Sequence, residues 1–178
     1  VAVSDSSGGV YAKDGLDIRA LLDHKEKTGS VRDFSGARNI TNEELIGLDV
    51  DILIPAALEN VITLDNASQV RARLIAEFAN GPVSGDADAL LHARGIPILP
   101  DILCNGGGVI VSYLEMVQNF NLDHWEGEEV NRRLEKKMVD AYKVVHDLAS
   151  RNHVPMRQAA YTIAVGRVVK AMKYRGWV

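Results

Sequence analysis

Residues 104–113, CNGGGVIVSY, hold the densest group of chemistry-bearing side chains in this 178-residue chain. The carboxamide of Asn105 precedes three glycines, and the apolar run behind them carries one hydroxyl, Ser112. Three successive glycines are costly in chain entropy, so they serve either unusual dihedrals or the close approach of another group. The segment IPILPDIL (96–103) reads as a strand leading into a glycine turn and a helix N-terminus, which together suit a polar or anionic ligand. A tight turn between two buried elements is the competing reading. The single cysteine, Cys104, stands at an apolar strand end and reads as packing rather than as a nucleophile.

The elements that would position these groups alternate between strands and helices. VAVSD (1–5) opens the chain as a β-branched strand ending in a carboxylate, so the chain starts in mid-strand, and SSGGVYAKDG (6–15) reads as loop. LDIRALLDHKEKTG (16–29) predicts a helix with Ile18, Leu21 and Leu22 inward and Gly29 as C-cap. TNEELIGL (41–48) carries a capping-box pattern, Thr41 with Glu44. DILIPAAL (51–58) predicts a strand buried on both faces, LIAEFAN (74–80) a further strand, and DADALLHARG (86–95) a helix stopped by Gly95. Residues 127–152 place Val130, Leu134, Met138, Tyr142, Val145 and Leu148 on one helical stripe. A last helix starts near Pro155, turns Met156, Ala160, Ile163, Val168 and Met172 inward, and ends at Gly176. Strands separated by helices predict an α/β fold with a mostly parallel sheet, followed by C-terminal helices.

In such sheets ligands lie beyond the carboxyl ends of the strands. Those ends carry Asp5-Ser6, Pro55-Ala56-Ala57, Asn80-Gly81-Pro82 and Asn105 with its glycines. A carboxylate accepts from ribose hydroxyls, small residues admit a flat ring, and a carboxamide offers both a donor and an acceptor. Taken singly, each is also an ordinary strand-ending residue. The glycine fingerprint G-x-G-x-x-G is absent; Gly8-Gly9 lacks its spacing. Either the fold is not a dinucleotide fold, or its first strand–helix pair lies upstream of Val1, and the mid-strand start favours the second.

Composition excludes several classes. Twenty Lys and Arg against 24 Asp and Glu give a net charge of −4, with no basic face to meet nucleic acid. No apolar run reaches membrane-spanning length, so a membrane partner is not expected. One cysteine and no secretory-type leader predict a cytoplasmic setting. His24, His92, His124, His146 and His153 are scattered without an i, i+4 pair, so no metal is expected. Lys13 and Lys25 read as solvated charges, as do Arg132, Arg133, Lys136 and Lys137.

Five runs together resemble the C-terminal part of glutamate dehydrogenase, in the amino-acid dehydrogenase superfamily: VAVSDSSGGVYAKDGLD (1–17), DILIPAALENVIT (51–63), LIAEFANGPVSGDAD (74–88), RGIPILPDILCNGGGVIVSYLEMVQN (94–119) and AAYTIAVGRVVKAMKYRGWV (159–178). The resemblance covers essentially the whole chain. It implies a Rossmann-like dinucleotide-binding domain over residues 1–178, incomplete at its N-terminus, with residues 121–178 as closing helices. It implies reversible oxidative deamination of L-glutamate to 2-oxoglutarate and ammonia, with NAD or NADP as coenzyme. Asp5, which would repel a 2′-phosphate, leans toward NAD.

Carried over by position, the resemblance implies that Asp5 and Ser6 line the adenosine ribose and that the coenzyme passes over Ala56 and Ala57. Asn80 and Asn105 would hold its nicotinamide end. Ser112 would bind the substrate's side-chain carboxylate, and Val109 would wall the pocket around its carbon chain. Gly106, Ile110, Phe78 and Val83 depart from the residues usual in the family, which bears on substrate size preference. The family's catalytic lysine and aspartate belong to an N-terminal substrate domain, so no catalytic residue is assigned here and the chain alone is expected to be inactive. Homo-oligomers, typically hexamers, are usual in the family. A non-catalytic nucleotide-binding or assembly module is the alternative from another class, and a leucine or phenylalanine dehydrogenase the alternative among enzymes. The Ser112 hydroxyl favours glutamate, because an aliphatic pocket would not need it.

Overall fold

The first fifty residues fold around Val10, which is fully buried. The computed structural model describes residues 1–177. Strand β1 (Ala2–Asp5) returns through Ser6-Ser7 into β2 (Gly8–Tyr11), and β3 (Arg38–Ile40) pairs on the far side of β2, all antiparallel. This corrects the loop expected at 6–15. Gly8 takes φ +130°, and a Cβ on Gly9 would meet Ser4 Cβ and the Val3 carbonyl at 3.0 Å, so the glycines permit a close two-strand return that Val10 and Tyr11 then continue. The opening strand is therefore part of an antiparallel sheet and not the first member of the parallel one.

Helix α1 (Ile18–Thr28) is capped by Asp17 and ends at Gly29, which has the left-handed φ of +79°. Of its three expected inward residues only Leu21 is buried, packing with Val10 and Val31; Ile18 and Leu22 are exposed. Helix α2 (Asn42–Ile46) has both capping-box bonds: Glu44 N donates to Thr41 Oγ1 at 3.1 Å, and Thr41 N donates to Glu44 Oε2 at 2.8 Å. Residues 1–50 and 68–72 form one compact unit, and residues 51–67 and 73–177 belong to a second.

The second unit contains the parallel sheet. Its strands β4 (Ile52–Leu53), β5 (Leu74–Ala76) and β6 (Ile98–Leu99) lie in that order, with α3 (Leu64–Ala67) and α4 (Gly85–Ala93) in the crossovers. These strands are shorter than expected. Pro55 has no N–H to donate and ends β4 early, and Ile52 and Ile54 are exposed, so the two-sided burial predicted for 51–58 holds only at Leu53. The run 96–103 is split by Pro100: β6 stops, and a short helix α5 (Asp101–Cys104) begins. Cys104 therefore closes a helix, not a strand.

The three glycines do not form a turn. They open α6 (Gly106–Asn121) in helical conformation, and none has positive φ. Two long helices follow, α7 (Gly127–Asn152), with its expected bounds, and α8 (Met156–Tyr174). Leu103, Val145, Ala149, Ala159 and Ala160 form the core where α5, α7 and α8 meet. Val168 of α8, expected inward, is exposed. Among the described residues no helix is long and apolar enough to cross a membrane.

Leu91 of α4 is fully buried in this unit. Leu91→Ala is expected to cost about 2–5 kcal/mol in urea unfolding, because it leaves a cavity in a packed interior. A loss below about 1 kcal/mol would contradict this packing.

Candidate functional site

The parallel strand ends are tied to one another by backbone and side-chain bonds. The Pro55 carbonyl accepts from Phe78 N at 3.1 Å and Ala79 N at 3.0 Å, which seats the exposed Ala56 and Ala57 beside the end of β5. Asn105 Nδ2 donates to Asn80 Oδ1 at 2.7 Å. Four of the residues singled out in the sequence thus stand along one edge. Among the described residues this pairing leaves Asn80 Nδ2 as a donor and Asn105 Oδ1 as an acceptor, a set complementary to another carboxamide or to sugar hydroxyls.

The glycines beside this pair are open. A Cβ on Gly106 or Gly108 would meet nothing within 4 Å, and one on Gly107 would make only ordinary contact with Leu134 at 3.7 Å. Neither dihedrals nor crowding within this chain calls for glycine here. Each costs up to about 1 kcal/mol against alanine within a helix. What the glycines provide is clearance along the first turn of α6. Val109 and Ser112 follow one turn apart, both exposed. Ser112 lines a shallow hollow of about 400 Å³ with Glu115, Met116, Asn119 and Phe120.

A buried ionic cluster that sequence reading missed holds this edge in place. Arg157 of α8 donates from Nη2 to Glu77 Oε1 at 2.6 Å, from Nη1 to Asp101 Oδ1 at 3.1 Å, and from Nε to Asp88 Oδ2. Glu77 is fully buried. Its second oxygen accepts from Asp101 N at 2.7 Å, and Asp101 Oδ2 accepts from Gly81 N at 2.8 Å. Burial raises the Glu77 carboxyl above its ordinary range, against the pull of Arg157. Burial alone would lower Arg157, but its bonds to Glu77 and Asp88 outweigh that and hold it above its ordinary value. Burial, with the charges of Glu77 and Asp101, pushes the Cys104 thiol up, so it stays protonated. The available signal was a charged residue set in apolar runs, Glu77 in LIAEFAN and Arg157 in PMRQAA.

Asp5 and Ser6 lie in the first unit. Asp5 Oδ1 accepts from Ser7 N at 2.9 Å and Ser7 Oγ at 2.7 Å, and Oδ2 accepts from Val31 N at 2.9 Å. Lys25 Nζ is 3.4 Å from Oδ2, which corrects the reading of Lys25 as a purely solvated charge. Led by the Ser7 bonds, these partners hold the Asp5 carboxyl down at about 2. Ser6 is exposed at the turn. A separate hollow of about 400 Å³ in the second unit brings together His92, His146 and His153, which the sequence scattered. Among the described residues no group of three side chains is placed to hold a metal ion.

Two expectations follow from these charges. Because Asp5 is depressed, its stabilising contribution is present above about pH 4 and is lost as pH falls toward 2. Asp5→Asn should remove about 1–2 kcal/mol at neutral pH, discounted for solvent screening, and should flatten that acid limb in thermal melts. Glu77 has the opposite sign: its burial becomes costlier as pH rises above the ordinary carboxylate range. Arg157→Leu strands that carboxylate and should cost about 3–5 kcal/mol at neutral pH. The deficit should shrink as pH falls and Glu77 takes up a proton; urea titrations giving the same deficit at pH 5 and pH 8 would contradict it.

Comparison with known proteins converges on one group. The chain is 47% identical over 185 residues to the NADP-specific glutamate dehydrogenase of Synechocystis sp., covering 99% of this chain and 43% of that protein. It is 43% identical over 178 residues to the cryptic catabolic NAD-specific glutamate dehydrogenase of Bacillus subtilis, covering all of this chain and 42% of that one. The chain therefore spans less than half the length of these relatives. The hetero-hexameric glutamate dehydrogenase of Thermus thermophilus, in its Leu-bound form, superposes with a TM-score of 0.91 at 36% identity, over 98% of this chain and 41% of that one. The model of the Glutamate/Leucine/Phenylalanine/Valine dehydrogenase family matches residues 1–176, and the chain belongs to that family.

Proposed function

We propose that this chain is the coenzyme-holding part of an NAD(P)-dependent dehydrogenase that interconverts L-glutamate with 2-oxoglutarate and ammonia. The observation that carries this reading is the Asn80–Asn105 pair, which leaves one donor and one acceptor beside a helix turn of glycines that nothing in the chain crowds. The residues fit a nicotinamide coenzyme: the carboxamides match its carboxamide and ribose, and the glycines leave room for a flat ring. When bound, the coenzyme takes up or gives back the hydride.

The protein's part is positioning. Ala56 and Ala57 offer a surface without bulk, and Asn80 and Asn105 fix the orientation of the nicotinamide end. Ser112 donates a hydrogen bond to the substrate's side-chain carboxylate, and Val109 packs its carbon chain. A leucine or phenylalanine substrate would leave the Ser112 hydroxyl idle, which favours glutamate. No residue of this chain is assigned to proton transfer. Residues 1–178 are read as one dinucleotide-binding domain with 121–178 as closing helices, working in the cytoplasm within a homo-oligomer, a hexamer by family resemblance; the Thermus thermophilus relative is a hetero-hexamer.

Asp5 and Ser6 are assigned to the adenosine ribose. Asp5 organises the Ser6-Ser7 turn through its bonds to Ser7, while Lys25 offsets its charge. A 2′-phosphate would thus meet a carboxylate whose charge Lys25 offsets and not an unpaired one, which supports use of either NAD or NADP.

Titration of NADH or NADPH into the purified chain, followed by nicotinamide fluorescence, should saturate. Glutamate added with NAD to the same chain should yield no NADH. Saturable binding of neither coenzyme would contradict the proposal. Lys25→Ala should weaken NADPH about tenfold, the size of one lost charge-assisted contact, and leave NADH within about twofold. Equal losses for both would remove Lys25 from the phosphate subsite.

A further inference from the structure

Asp101 touches both segments that carry the site asparagines. Its carboxylate Oδ2 accepts from the Gly81 amide at 2.8 Å, immediately after Asn80, and its own carbonyl accepts from the Asn105 amide at 2.9 Å. Gly81 has φ +55°, a left-handed conformation that glycine adopts without strain, and in it the amide meets the Asp101 carboxylate. The carboxylate is itself fixed from the other side. Arg157 Nη1 and Ile102 N converge on Oδ1 at 3.1 and 2.8 Å, and Asp101 N donates to the buried Glu77. No other residue described here bonds to both the Asn80–Gly81 corner and the Asn105 backbone.

We propose that Asp101 is a positioning residue for coenzyme binding: aimed by Arg157, it sets the Asn80–Gly81 corner against Asn105 so that the two carboxamides pair. This rests on the coenzyme reading above. Asp101 does not touch the coenzyme; it acts through Asn80. Replacing it by asparagine leaves one acceptor oxygen, which the two donors Arg157 Nη1 and Ile102 N hold, and turns an NH2 group toward the Gly81 amide, while Arg157 keeps Glu77 and Asp88. The corner is then released although the ionic core remains.

The test is a double-mutant cycle on the full chain, reading NADH affinity by fluorescence for wild type, Asp101→Asn, Asn80→Ala and the double variant. Asp101→Asn is expected to weaken NADH about tenfold, the scale of one hydrogen bond to a charged group. Amide exchange at Gly81 should speed up alongside. Because Asp101 works through Asn80, the double variant should bind no worse than the weaker single variant, whereas a merely structural role would give additive losses. If Asp101→Asn fails to fold, Asp101→Glu decides the matter in the same titration: it keeps the charge for Arg157 but displaces the carboxylate from Gly81, and a comparable loss is expected. Wild-type binding together with unchanged affinity in the folded variant, or with additive losses, overturns the role of Asp101 and leaves the coenzyme reading standing. Failure of the wild-type chain to bind NADH overturns that reading, and this inference with it.

Discussion

A single guanidinium, that of Arg157, is shared by three carboxylates drawn from the end of β5, from α4 and from α5. Its partners lie 80, 69 and 56 residues away in sequence. Taking these charges out of water is costly, and a buried ion group of this kind is weak evidence for stability. What it gives is geometric definition: few other arrangements of these elements would satisfy all three acids at once. Among the described residues no buried side-chain polar atom lacks a partner, so the cluster is fully satisfied.

Definition at that point propagates to the ends of the parallel strands. Glu77 holds the start of α5, Asp101 holds the corner after β5, and the asparagines at the two ends bond to each other. The short parallel strands alone would leave these ends loosely placed, since each contributes only two or three residues to the ladder. The glycines of α6 then make sense as space kept free. A helix that starts with three glycines gives up helix propensity, and no contact within the chain recovers the loss. Under the proposed function, a flat redox group lying against that turn would recover it.

Local signals in the sequence were faithful where local physics decides. Thr41 with Glu44, Gly29 and Pro155 marked helix ends because capping is settled within a few residues. The β5 centre and the crossover helix α4 followed from apolar runs and their spacing, whereas the four-residue α3 was not anticipated. The direction in which β1 pairs was not legible, because Val1–Asp5 suits a parallel and an antiparallel partner equally and the choice lies with Gly8 and Gly9. The glycines 106–108 looked like a turn because composition reports permitted dihedrals, not adopted ones. Arg157 was missed because its meaning is entirely long-range. Of the candidate site residues, Ala56, Ala57, Asn80 and Asn105 were proposed from a rule of topology and stand along one edge, while the charges that hold that edge carry no motif. The exposed Val109, Tyr113 and Phe120 of α6 show the complementary limit: an apolar helical pattern does not say whether its partner lies within this chain.

The central claim is that the parallel strand ends and the glycine turn hold a nicotinamide coenzyme. Peptide-resolved hydrogen exchange with and without saturating NADH tests it most directly, since ligand contact slows opening of the backbone it covers. The account predicts slower exchange over residues 78–81 and 105–109 on binding. Unchanged exchange in both segments, with protection appearing elsewhere in the chain, would contradict it.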